Sequence, residues 1–121
     1  MKKILIIEDE KILSEMYREK FVRAGFKVSI AFDAEEGLEL AKKVKPDLII
    51  LDILLPRANG VSFLEKLRKI PGVSSTIVLA FSNYDDSEMK KKALKLGAKD
   101  YLLKTNFTPE EVVKKVKEYL D

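Results

Sequence analysis

Two short apolar runs, each closed by acid, constrain this chain more than any other feature. Ile4-Leu5-Ile6-Ile7 ends in Glu8-Asp9, and Leu48-Ile49-Ile50-Leu51 ends in Asp52, with Ile53-Leu54-Leu55-Pro56 after it. Unbroken apolar runs of this length read as strands covered on both faces, the mark of a parallel sheet. Parallel neighbours bring their carboxyl ends to one edge, where open α/β sheets place their sites. Glu8, Asp9 and Asp52 are therefore expected to meet. Crowded carboxylates repel one another, so such a cluster binds a hard divalent cation or holds an unusual proton.

The rest of the chain alternates strand and helix with short connections. After the first strand, Ile12, Leu13, Met16, Tyr17, Phe21 and Ala24 recur at helical spacing, and Gly25 follows as a C′ residue. Lys27–Ile30 reads as a second strand. Asp33 caps a helix, with Glu36 completing a capping-box pattern and Ala34, Leu38, Ala41 and Val44 as its inner stripe. Pro46 stops that helix before the third strand. Asn59-Gly60 opens a helix with Val61, Leu64 and Leu67 inside, and Pro71-Gly72 punctuates its end. Ile77–Ala80 is the fourth strand, followed by a helix from about Asp86 to Leu96 with Gly97 at C′. Tyr101–Leu103 is the fifth strand, ending in Lys104. Thr108-Pro109-Glu110-Glu111 is an N-cap, a proline at N1 and a capping box, leading into Val112, Val113, Val116, Tyr119 and Leu120. Five such units with right-handed crossovers predict a flavodoxin-like, doubly wound sandwich with strand order 2-1-3-4-5. Ser82, just past the fourth strand, and Lys104 then reach the same edge as the acids.

Composition narrows the chemistry. At 121 residues, 46% hydrophobic and 36% charged, the chain fits one globular domain with its own core. It has no cysteine and no histidine, which excludes disulfides, thiolate catalysis, zinc–thiolate sites and Ser-His triads. The net charge of +3 arises wholly after Gly60, where 12 basic residues face 9 acidic ones. Lys90-Lys91-Lys92, Lys95 and Lys99 supply much of it. This run reads first as a solvated helix face, with a recognition patch as the alternative. Direct nucleic-acid binding is not expected, because no aromatic residues interleave with the lysines. The first apolar run is too short for a signal peptide or membrane span, so a cytoplasmic location is expected.

Taken in order and spacing, these residues resemble the receiver domain of bacterial two-component response regulators, the chemotaxis-type single-domain receiver. The resemblance spans Lys3 to Leu120. It is carried by Ile6-Ile7-Glu8-Asp9-Glu10, by Asp47 through Pro56 with Asn59-Gly60, by Ser82, by Gly97-Ala98-Lys99-Asp100-Tyr101, and by Lys104. It implies that Asp52 is the phosphoacceptor, taking a phosphoryl group from a sensor histidine kinase or a phosphotransfer protein. It also implies Mg²⁺ held by Asp9, Asp52 and the Leu54 carbonyl, with Glu8 acting through a coordinated water. Lys104 pairs with Asp52 and a phosphoryl oxygen, Ser82 donates to another, and Asn83 stands beside it. As Ser82 is drawn in, the Tyr101 ring turns inward and the face of the fourth helix, fifth strand and fifth helix changes for a partner. The resemblance allows a dimer through the fourth and fifth helices.

Three departures matter. Thr105 follows Lys104 where the family usually has proline, so a trans Lys104–Thr105 bond is expected. Asn83 replaces a small residue and narrows access to the phosphoryl group. Leu54 and Tyr84 flank that group without a carboxylate or amide to position water, which predicts slow self-dephosphorylation. Met1 and the end at Asp121 favour a stand-alone receiver of residues 1–121. The rival reading is a phosphoaspartate-forming hydrolase, which needs a second acid where this chain has Leu54. A nucleotide- or flavin-binding enzyme is less favoured, since the glycines form neither G-x-G-x-x-G nor a P-loop.

Overall fold

Strand and helix alternate as the hydrophobic pattern predicts. The computed structural model describes residues 1–55 and 60–120. Its elements are β1 (Lys3–Ile7), α1 (Lys11–Arg23), β2 (Lys27–Ala31), α2 (Ala34–Val44), β3 (Leu48–Asp52), α3 (Gly60–Leu67), β4 (Ile77–Ser82), α4 (Ser87–Lys95), β5 (Asp100–Leu103) and α5 (Pro109–Leu120), with one 3₁₀ turn at Lys104–Asn106. All pairings are parallel, in the order β2-β1-β3-β4-β5. Ile6 lies beside Ile30 and Ile50, Asp52 beside Phe81, and Phe81 beside Leu102. This is the flavodoxin-like arrangement expected above.

Alternation along each strand divides the core into two layers. Leu5, Ile7, Ile49, Leu51, Val78 and Ala80 pack with residues of α2, α3 and α4, notably Ala41, Phe63, Leu64, Leu67 and Ala93. Ile4, Ile6, Leu48, Ile50, Leu79 and Phe81 pack with Tyr17 and Phe21 of α1 and Val112 and Val116 of α5. Phe21 and Phe63 are fully buried, each contributing roughly 1.5–3 kcal/mol by leaving water.

The ends of the elements follow local chemistry. Thr108 Oγ1 accepts from the Glu111 amide at 3.2 Å and Glu111 Oε1 accepts from the Thr108 amide at 2.9 Å, a complete capping box. At α2 the box is shifted: Asp33 accepts from the Glu36 amide, but Glu36 takes the Phe32 amide instead of that of Asp33. α2 ends on Lys45 in the left-handed region, at φ 48°, before Pro46. β3 and β4 run further than the apolar pattern suggested, taking in Asp52 and Ser82.

One expectation is corrected. Ile12 and Met16 do not belong to the inner stripe of α1; Ile12 is 88% exposed and Met16 is also exposed. The buried line runs through Ser14, Tyr17 and Phe21. A helix advances 100° per residue, so Ile12 stands about 160° and Met16 about 120° from the line through Tyr17 and Phe21, on the side turned away from the sheet. There they line an open groove with Glu10, Lys11 and Leu13.

Gly60 shows how closely α3 meets the end of β3. Its amide donates to the Ile53 carbonyl at 2.7 Å. A Cβ there would stand 2.9 Å from Ile53 Cα and 3.1 Å from the Asp52 carbonyl oxygen. Its neighbour in the expected Asn59-Gly60 turn, Asn59, lies outside the described residues. Because the obstacle is backbone, Gly60→Ala should lower stability by about 1–3 kcal/mol in a urea titration. A neutral substitution would show that the close approach is not needed.

Candidate functional site

The layer on which a strand residue lies decides which groups can meet above it. Glu8 continues the Ile4–Ile6 series, Asp52 the Leu48–Ile50 series and Lys104 the series of Leu102, so all three fall on the α1/α5 side. The structure joins them. Lys104 Nζ donates to Glu8 Oε1 at 2.6 Å and to Asp52 Oδ2 at 3.3 Å. Glu8 is 4% exposed and Asp52 6%. Asp9 is exposed, yet Glu8, Asp9 and Asp52 each place a carboxylate oxygen within 4.8 Å of the others. Three oxygen donors, one open to solvent, suit a hard divalent cation.

Lys104 was expected to pair with Asp52; its shorter bond is to Glu8. Glu8 is therefore the principal anchor of the lysine as well as a neighbour of the cation position. The Lys104–Thr105 bond is trans, as expected, since the described residues contain no cis peptide. Three carboxylates face one ammonium, and the site is short of positive charge. Burial pushes Glu8 up to about 7, with Lys104 opposing and Asp52 reinforcing the shift. Burial likewise raises Asp52 above its ordinary range, against the pull of Lys104. Burial alone would lower Lys104, but the bonds and charges of Glu8 and Asp52 outweigh it and hold the ammonium form.

The remaining expected residues fall into two groups. Ser82 continues the Val78–Ala80 series toward the α2/α3/α4 side, and Tyr101 belongs to the same layer. Ser82 is buried, and its Oγ accepts from the Tyr84 amide at 3.1 Å. The Tyr101 ring is already inside, 6% exposed, with its hydroxyl donating to the Tyr84 carbonyl at 3.4 Å. An inward turn of that ring is thus not a change open to this conformation. Asn83 is exposed at the start of the loop. Leu54 (46% exposed) and Tyr84 (64%) present apolar and aromatic surface; the Leu54 amide donates to Asp52 Oδ1 at 3.2 Å.

The lysine run is divided. Lys90 lines a cavity of about 360 Å³ with Asp85, Asp100, Phe107 and Lys115, whereas Lys92 and Lys95 face Glu65 across the α3–α4 groove. Sequence reasoning missed Tyr17 as a neighbour of the charged groups. Its ring packs 6.4 Å from that of Phe81, and burial raises its phenol, with Lys104 and Glu8 close enough to act on it. Its place in the apolar stripe of α1 concealed this.

Comparison with known proteins agrees with the geometry. The family model for the response regulator receiver domain matches residues 4–117. The alkaline phosphatase synthesis transcriptional regulatory protein PhoP of Bacillus subtilis is 37% identical over 119 residues, covering 98% of this chain and 48% of that protein. The chain spans about half the length of the curated relatives it matches first. Among solved structures, a CheY-like receiver domain protein of Methanospirillum hungatei superposes with a TM-score of 0.92 at 30% identity, covering 100% of this chain and 94% of the other. Chemotaxis protein CheY4 of Vibrio cholerae gives 0.90 at 29% identity, covering 98% of each chain.

The raised Glu8 has a consequence for stability. Unfolded, its carboxyl ionises near 4.5; folded, it keeps its proton to about 7. Between these values the native state binds more protons than the unfolded chain, so stability falls as pH rises. Asp52 is shifted in the same direction, burial being the cause there too. In metal-free buffer, urea unfolding at pH 5.5 and 7.5 should differ by about 1–3 kcal/mol in favour of the lower pH. Glu8→Gln should flatten most of that difference. A wild-type stability that rises across this window would contradict the assignment.

Proposed function

Because this chain belongs to the response regulator receiver family, we propose that it is a phosphoacceptor switch with Asp52 as its nucleophile. The observation that carries the reading is the buried Asp52 carboxylate, held by Lys104 at 3.3 Å beside two further acids. The chain has no histidine, so a phosphohistidine donor must lie on another protein, a sensor histidine kinase or a phosphotransfer protein. An Asp52 carboxylate oxygen attacks phosphorus; the new O–P bond forms as the N–P bond breaks, and the imidazole leaves. Bound by Asp9, Asp52 and the Leu54 carbonyl, with Glu8 through water, Mg²⁺ would offset charge on the phosphoryl oxygens.

The chain's own groups do the rest. Lys104 is positioned by Glu8, so its ammonium stays at the site when Asp52 becomes an acyl phosphate and turns to a phosphoryl oxygen. Ser82 Oγ already accepts the Tyr84 amide, which leaves its hydroxyl proton to donate to another. Tyr101 holds the loop from inside by its bond to the Tyr84 carbonyl. A change at Ser82 therefore reaches Tyr84 and the start of α4, and through them the face formed by α4, β5 and α5, where Lys90 stands. That face is the surface offered to an output partner or to a second copy.

The hydrolase alternative lacks its second acid, since Leu54 occupies that position. Incubation with acetyl phosphate and Mg²⁺ should add one phosphoryl group per chain, and Asp52→Ala should add none. Repeated turnover, or uptake by the Asp52→Ala protein, would overturn the proposal.

Leu54 and Tyr84 border the site with no carboxylate or amide to orient a hydrolytic water. The acyl phosphate should accordingly be long-lived. Introducing such groups, in Leu54→Asn with Tyr84→Glu, should shorten its lifetime by about tenfold, roughly 1.4 kcal/mol of barrier. An unchanged lifetime, followed by loss of label from phosphorylated protein, would remove these positions from the account.

A further inference from the structure

α4 is fastened at one end. From Asn83 to Lys92 every residue is exposed except Met89, which is partly buried. Its first turn is capped within the segment, by Asp86 accepting from the Glu88 and Met89 amides. The loop before it is tied to the body by the Ser82–Tyr84 and Tyr84–Tyr101 bonds. The other end is different. Ala93 and Ala98 are buried, the Ala98 amide donates to the Ala93 carbonyl, and the Lys99 amide bonds to Val78 of β4.

Arg68, one residue beyond α3, completes that anchorage. Its Nε donates to the Leu96 carbonyl at 3.0 Å and Nη2 to the Gly97 carbonyl at 3.0 Å. Nη1 donates to Thr76 at 2.8 Å and Ser74 at 3.1 Å, the carbonyls leading into β4. One planar cation thus ties the end of α4 to the approach of the central sheet. A guanidinium suits the task because its donors lie in a rigid fork, and the last carbonyls of a helix carry negative partial charge. Gly97 leaves room for it: φ is +92°, and a Cβ would stand 3.2 Å from Arg68 Nε.

We propose that Arg68 is the fulcrum of α4, so that a pull at Ser82 swings the amino-terminal half of the helix about a fixed carboxyl end. This rests on the phosphoacceptor reading and adds which part of the output face moves. The pull enters through Tyr84, reaches Asp86 and the first turn, and is stopped where the guanidinium holds Leu96 and Gly97. Lys90 is carried with the moving half. It shifts against Asp100 and Lys115, which sit on β5 and α5, and so reshapes the cavity the three line. Lys95, beside the fixed end, stays in place.

Amide hydrogen exchange on the full chain tests this, with Mg²⁺ and fluoroberyllate as the phosphoryl mimic and ¹⁹F resonance reporting its binding. In the wild type, exchange at Tyr84 and Glu88–Lys91 should change by about fivefold or more, while Leu96, Gly97 and Ala98 stay within about twofold. In Arg68→Met the amides from Leu96 to Ala98 should exchange about tenfold faster without the mimic, and the response should spread along all of α4. Arg68→Lys, which keeps the charge but not the fork, should fall between. Equal responses at both ends of α4 in the wild type would overturn the fulcrum alone, as would an Arg68→Met protein with the wild-type boundary. Bound mimic absent by ¹⁹F resonance would overturn the phosphoacceptor reading and the fulcrum with it.

Discussion

The structure depends on one ammonium group reaching the middle of the sheet from its edge. β5 is separated from β3 by β4, and strands lie about 4.8 Å apart, so Lys104 starts about 10 Å from the strand that carries Asp52. Its Nζ nevertheless stands 2.6 Å from Glu8 and 3.3 Å from Asp52. The side chain must therefore lean over the end of β4, from the first residue of the 3₁₀ turn that follows β5. Without the ammonium, Glu8 and Asp52 would face each other in a poorly hydrated space. Removing one partner of a buried ion pair commonly costs about 3–5 kcal/mol, so this contact binds the ends of β1, β3 and β5 together at the acidic cluster.

The charge balance gives the site its character. A single cation cannot neutralise three carboxylates, and burial, reinforced by the charge of Asp52, keeps a proton on Glu8 to about 7. A divalent cation would relieve the same deficit by displacing that proton. The exposed Asp9 leaves a way in, while burial of Glu8 and Asp52 strengthens every interaction inside. The two sides of the sheet carry different groups: the charged groups sit over the α1/α5 layer, and Ser82 and Tyr101 sit over the layer that supports α4. The two layers meet at the end of β4, where Phe81 lies beside Asp52 and Ser82 follows it in the chain.

Much of this was legible before any coordinates. Unbroken runs such as Leu48–Leu51 specify strands buried on both faces, and caps such as Thr108 with Glu111 mark helix starts by local hydrogen bonding. Acids directly after two such runs had to meet, because parallel strands end together. Less legible were Ile12 and Met16, whose mutual spacing fits a stripe that the helix in fact turns away from the sheet. Lys45 ends α2 in a conformation that favours glycine, and nothing in the surrounding pattern signals it. Arg68 was invisible as a clamp because its partners are backbone carbonyls, which every residue carries alike.

The amino-acid order alone determined the element sequence, the strand order and the edge at which Glu8, Asp9, Asp52, Ser82 and Lys104 gather, since periodicity and turn chemistry are local properties and parallel connections admit few topologies. Only the tertiary structure decided that Lys104 bonds Glu8 more closely than Asp52, that the Tyr101 ring lies inside, and that Lys90 and Lys92 look in different directions. Those outcomes depend on distances between side chains remote in sequence, set by packing and by the competition of one positive charge among several negative ones.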